Sequence, residues 1–203
     1  MVYCGNGYRD GLLVFIVPSM HTLHTTPAFV LKAYPHGESN RVFRLFTREH
    51  GLLYVHGQGV RSLANRNRYA LRTHGFVRAT LVRGREVWRL TSAQAVCGES
   101  ATEWRRVLAL VGDLLAEEDA APRVFDLLHE SRRVFMETGD SGDRCVLEAL
   151  TVLRALALLG YVGDSSVQGA LDHAAPLTDN SRYLPCRDAL VREVNDALRA
   201  CAR

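Results

Sequence analysis

Five apolar runs of strand length between Pro27 and Thr91, each cut off by glycine, proline or a polar turn, limit the folds open to this chain. Pro27 to Tyr34 is the first expected strand. Phe29 and Leu31 fall on one face, Val30 and Lys32 on the other. Pro35-His36-Gly37 breaks it. Arg41 to Thr47 is the second, with Phe43 and Leu45 on one face and Arg44 and Phe46 on the other. After the turn Glu49-His50-Gly51, Leu52 to Gln58 is the third. Phe76 to Val82 and Arg85 to Thr91 form a hairpin around Arg83-Gly84. Three strands, a linker and a hairpin in roughly 70 residues have the size and order of a five-stranded OB-fold barrel, a fold that commonly holds single nucleic-acid strands. Aromatic faces then stack on bases. Tyr34, Phe46, Tyr54, Tyr69 and Phe76 are available, most of them expected in the core, and Trp88 reads as core as well.

Two segments keep two readings each. Gly57-Gln58-Gly59-Val60-Arg61 is either a backbone that approaches a phosphate closely or a bulge that curls a small barrel. It lacks the G-K-[ST] of a P-loop. Ser62 to His74, rich in arginine, either lies along a strand backbone or is a disordered solvated loop.

The charge is uneven. Residues 1–95 carry 13 basic and 4 acidic residues, or +9, and residues 96–203 carry 12 and 18, or −6. His50 to Arg85 holds seven arginines and no acid. Such asymmetry suggests that the first half meets a polyanion.

After residue 96 the apolar period changes from two to that of a helix. Ser100-Ala-Thr-Glu103 reads as a capping box, followed by a stripe of Trp104, Val107, Leu108, Val111, Leu114 and Leu115. Pro122 opens a second helix with Val124, Phe125, Leu128 and Phe135 on its apolar side. Arg144 to Leu159 is apolar nearly all round and is expected to be central, with Gly160 as its C-cap. A polar loop from Asp164 to Asn180 precedes a last helix striped by Leu190, Val191, Val194, Ala197, Leu198 and Cys201. The expected class is α+β: an OB-fold barrel over 26–96 and a small helical bundle over 97–203.

Met1 to Thr25 does not fit this pattern. Met20 is the expected start, with the residues before it an upstream extension. The alternative is one more short strand over Gly11 to Val17. No apolar run approaches the roughly 20 residues of a membrane span. Five cysteines without a C-x-x-C pair argue against a disulfide framework and a zinc ribbon, and point to the cytoplasm. His50 and His56 sit near Glu49 with no nucleophile or metal set around them, so an enzyme is not expected.

The residues then carry a resemblance. Ala28-Phe29-Val30-Leu31, Gly37-Glu38-Ser39, Leu45 to Gly51, Gly59-Val60-Arg61, Gly84 to Ala95 and Leu158-Leu159-Gly160-Tyr161 resemble the bacterial RecO family of DNA-repair recombination mediators. The resemblance implies an N-terminal OB-fold, a helical C-terminal domain and no enzymatic activity. It also implies binding of single- and double-stranded DNA, strand annealing, association with RecR and with the tail of single-strand-binding protein, and indirect help to RecA. The chain departs from that family in three places. Gln58 stands where many relatives have Lys or Arg. Val162 to Gly169 has no cysteine where many insert a zinc module, so neither metal nor cofactor is expected. The helix from Arg144 lacks an Arg-x-Phe-Glu motif. The expected DNA contacts are Arg44, Arg48, Arg61, Arg66, Arg68 and Arg72, with Lys32 and Arg41 behind them. The rival reading is an interaction module whose basic barrel binds acidic peptides.

Overall fold

The structure is a computed structural model describing residues 22–62, 65–85, 87–96, 101–162, 185 and 187–201. The leader before residue 22, Ser100 and the loop from Asp164 to Asn180 lie outside the described residues.

Five strands close into a barrel: β1 (Leu23–His36), β2 (Asn40–Thr47), β3 (Gly51–Gly57), β4 (Phe76–Arg83) and β5 (Trp88–Ala95). Their order around the barrel is β1-β2-β3-β5-β4, with every pairing antiparallel except β3 with β5. With a short helix α1 (Asn67–Ala70) between β3 and β4, this is the expected OB-fold. The interior holds Val30, Phe43, Leu45, Leu53, Val55, Val77, Leu81 and Trp88.

Four local expectations are corrected. β1 begins at Leu23, ahead of Pro27, because residues 23–25 pair with Val82, Leu81 and Thr80 of β4. Lys32 does not share the face of Val30. The ladder slips between them, so Leu31 is an extra residue, and Lys32 comes to lie opposite Arg44 on the outside of the barrel. β5 runs from Trp88 to Ala95 and not from Arg85 to Thr91. The Gly84 N–H donates to the Val87 carbonyl at 2.9 Å and closes a wider turn. The linker from Ser62 is folded in its described part. The Asn67 side chain accepts from the Ala93 N–H at 3.0 Å, and Leu71 enters the barrel core, 3% exposed.

Four longer helices follow: α2 (Thr102–Leu114), α3 (Pro122–Glu137), α4 (Ser141–Leu158) and α5 (Arg187–Cys201). The N-cap of α2 is Ala101, which makes no side-chain cap; Ser100, the first residue of the expected capping box, is not among the described residues. Asp140 caps α4, accepting from the N–H groups of Gly142 and Asp143 at 2.7 and 3.2 Å. Gly160, at φ +82°, ends α4. Its N–H reaches the Ala157 carbonyl at 3.0 Å and that of Tyr161 the Leu156 carbonyl at 2.8 Å, a Schellman pair.

One core joins barrel and helices. Phe29, Leu31, Phe46, Leu52 and Phe76 on the outside of the barrel pack with Trp104, Leu108, Val111, Phe125, Leu128 and Phe135. Phe125 is central, its ring 5.2 Å from Phe29 and 5.6 Å from Phe46. Behind this seam, α4 is buried along most of its length, and Leu190 of α5 packs on it.

Candidate nucleic-acid interface

Strand register sorts the outer surface of the barrel into rows. In the first, Phe76, Phe29, Phe46 and Leu52 are register neighbours and lie under the helices. The second runs Lys32, Arg44, Tyr54. The third runs Tyr34, Val42, His56, Arg89. The surface thus passes from apolar and covered, through charged, to aromatic and basic.

The second row borders the helices, whose acids meet its bases. Lys32 Nζ donates to Asp113 at 2.7 Å, and Arg44 donates to Asp113 at 3.3 Å and to the Gly112 carbonyl at 2.7 Å. The Arg44 side chain is only 11% exposed. Arg48, just past β2, grips Asp126 with Nε and Nη2 at 2.8 and 2.9 Å. The carboxyl of Asp113 is held below its usual range by its hydrogen bond from Lys32 and by Arg44, that of Asp126 by Arg48, and Arg48 is raised in turn. Three expected DNA contacts are therefore already engaged with carboxylates.

The other five are open. Arg41, Arg61, Arg66, Arg68 and Arg72 are exposed and make no ion pair among the described residues. Arg41, Arg61 and Arg68 gather at one end of the barrel. Arg41 lies opposite Gly57. The Arg61 N–H donates to the Ser39 carbonyl at 3.0 Å and its Nη1 to Gly37 at 3.3 Å, while Arg68 donates to the Arg61 carbonyl at 3.3 Å. Gly59, at φ +60°, donates to the Asn40 side chain at 2.9 Å. A Cβ on Gly57 would come within 2.6 Å of Val60 and 2.9 Å of Phe43. The glycine pair therefore serves the turn and the packing at this end of the barrel. Nothing in its geometry requires a bound phosphate.

Of the expected aromatics, Tyr34, Tyr54 and Tyr69 are exposed, by 42%, 37% and 62%, whereas Phe46 and Phe76 are core. His36 meets His56 edge-on at 5.3 Å beside the third row. Trp88 is core, 4% exposed, with the rings of His24 and His50 at 5.4 and 5.1 Å. Arg89 and Arg78, exposed on β5 and β4, were not singled out from the sequence. Alternation from the inward Trp88 is the signal that points Arg89 outward. Among the described residues no group of three or more His, Cys, Asp or Glu could hold a metal, and no helix is long and apolar enough to cross a membrane.

The family model described as "Recombination protein O N terminal" matches residues 20–98, the barrel with its flanks. Over 168 residues the chain is 28% identical to DNA repair protein RecO of Exiguobacterium sibiricum, covering 78% of this chain and 67% of that protein. The chain is similar to the RecO family over most of its length. A second member, DNA repair protein RecO of Pelotomaculum thermopropionicum, is 30% identical over 169 residues, covering 76% of this chain and 63% of its own length. The chain thus spans about two thirds of the length of these RecO relatives, and it stands among proteins of DNA repair and recombination.

Proposed function

We propose that this chain is a non-enzymatic recombination mediator whose barrel binds DNA, single strands foremost and duplex as well. The observation that carries the reading is the open surface. Tyr34 and Tyr54 stand exposed next to an end of the barrel where Arg41, Arg61 and Arg68 have no acidic partner among the described residues. Arginines neutralise phosphates and release counterions while tyrosines stack on bases, which favours affinity over sequence readout. Similarity to the family supports the rest: annealing of complementary strands, association with RecR and with the tail of single-strand-binding protein, indirect assistance to RecA, and work in the cytoplasm.

The test is fluorescence anisotropy of a labelled single strand across a salt series, with Arg66→Glu/Arg68→Glu beside the wild type. Affinity should fall roughly tenfold or more between about 50 and 200 mM salt, and the double variant should bind weakly. A flat salt response would overturn the reading.

A second reading has its own observation. The barrel's bases already take carboxylates, those of Asp113 and Asp126. An acidic peptide could use Arg41, Arg61 and Arg68 in the same way. Competition between such a peptide and the oligonucleotide decides which ligand the surface prefers.

A further inference from the structure

A cleft of about 180 Å³ opens beside the aromatic row, lined by Tyr54, His56, Val87, Trp88, Glu117 and Glu118 among others. It exists because β3 and β5 pair only at Val55 with Trp88 and His56 with Arg89. The first part of β3 therefore has no β5 neighbour, and the segment after α2 comes in instead. There the Glu118 N–H donates to the Leu52 carbonyl at 3.0 Å, and Glu117 bridges to Leu52. The cleft lies between these two neighbours of β3, with Tyr54 in its lining.

The chemistry of the cleft differs from its surroundings. The chain from His50 to Arg85 carries no acid, yet two exposed glutamates stand at this opening. Glu118 is held in a left-handed conformation, φ +52°, with the Arg83 guanidinium 3.9 Å from its carboxylate. Carboxylates repel a phosphate but accept hydrogen bonds from amine N–H groups, and the walls of tyrosine, histidine, valine and leucine suit a flat ring. Trp88 borders the same cleft, and its buried Nε1–H has no acceptor among the described residues. A basic peptide side chain brings donors alone, whereas a nucleobase brings its amine on a flat ring that these walls suit.

The geometry points to a subsite for one unstacked pyrimidine bearing an exocyclic amine, so that cytosine is held in preference to thymine. The inference rests on the reading that a single strand crosses the barrel surface that exposes Tyr34 and Tyr54. Cytosine offers the N4 amine to Glu117 or Glu118, a pairing that carboxylates make with this base elsewhere. Thymine presents a carbonyl oxygen at the same edge, lone pair against lone pair.

The test uses the whole chain and labelled dC and dT homopolymers of about 16 nucleotides, the upper end of what one such barrel occupies. The two bases are alike in size, so stacking alone separates them little. The expected result is tighter binding of the dC polymer by about fivefold or more. In Glu117→Gln/Glu118→Gln both polymers should bind more tightly through the loss of negative charge, while the dC-to-dT ratio collapses toward one, since a carboxamide can face either base. Binding of both polymers with equal affinity by the wild type, or a ratio that survives the double substitution, overturns the subsite and leaves DNA binding standing. Binding of neither polymer overturns both readings together.

Discussion

Asp126 of α3 takes Arg48 of the barrel in a two-pronged grip, one carboxylate oxygen on Nε at 2.8 Å and the other on Nη2 at 2.9 Å. Asp113 does the same work on Lys32 and Arg44. The bases bordering the helices thus help hold the two halves together, whereas Arg41, Arg61 and Arg68 make no ion pair among the described residues. Asp126→Asn should release Arg48 to the strand. The slope of log affinity against log salt should then steepen by about 0.7, the value of one added phosphate contact on a single strand. Asp113→Asn should instead lower stability, because it strips an ionic partner from the largely buried Arg44. Salt titrations and urea denaturation of the two variants check both statements, and an unchanged slope in Asp126→Asn sinks the first.

Phe125 sits where Phe29 and Phe46 of the barrel meet α3. Phe125→Ala should cost about 3–5 kcal/mol, as deletion of a buried ring usually does. Because the seam belongs to one core, barrel and helices should lose stability together. Tryptophan fluorescence reports on both sides, through Trp88 in the barrel and Trp104 on α2. A barrel signal whose midpoint stays at the wild-type value would show that the two halves melt independently.

Gly37 and Gly51 share φ +65°, yet their substitutions should differ. A Cβ at Gly37 meets nothing within 4 Å, so Gly37→Ala should cost roughly 1–2 kcal/mol from the left-handed backbone alone. At Gly51 the added carbon runs into the Asp119 carbonyl. Gly51→Ala should therefore be much worse, displacing the segment that carries Glu117 and Glu118. Thermal unfolding midpoints of the pair test the order.

Acid should destabilise the protein in two stages. His74 has its pKa lowered from 6.5, by burial first and then by Arg105 and Lys32. The folded state therefore favours its neutral form. Its contribution is complete above 6.5 and is lost as pH falls through the lower folded value. Asp113 and Asp126 are lowered from 3.8 by their basic partners, so their contribution is present above 3.8 and is lost as pH falls through their folded values. His74→Asn should remove the first stage, asparagine being tolerant of the φ of +65° found there. Asp126→Asn should blunt the second. Urea midpoints against pH are the measurement, and a rise in stability on mild acidification would contradict the assignment.

The change of period near residue 96 and the breakers between strands determined the barrel, its strand count and the helices behind it. These signals are local. Alternation and turn residues act on neighbours in sequence, and they read correctly even where strand ends slipped by a few residues. The inward Trp88, the Pro122 start and the Gly160 stop were legible for the same reason.

What the sequence could not decide was which of its arginines are free. Arg48 and Arg61 look alike in the chain. Only the folding of α3 against the barrel puts Asp126 beside the first and leaves the second at the open end, and those partners lie far apart in sequence. The slip at Leu31, which carries Lys32 to the outer face, also arises from pairing with a distant strand. The acidic cleft at Tyr54 has the same origin. It is set by where β5 stops pairing with β3 and where the chain after α2 arrives, a matter of three-dimensional closure that no local pattern encodes.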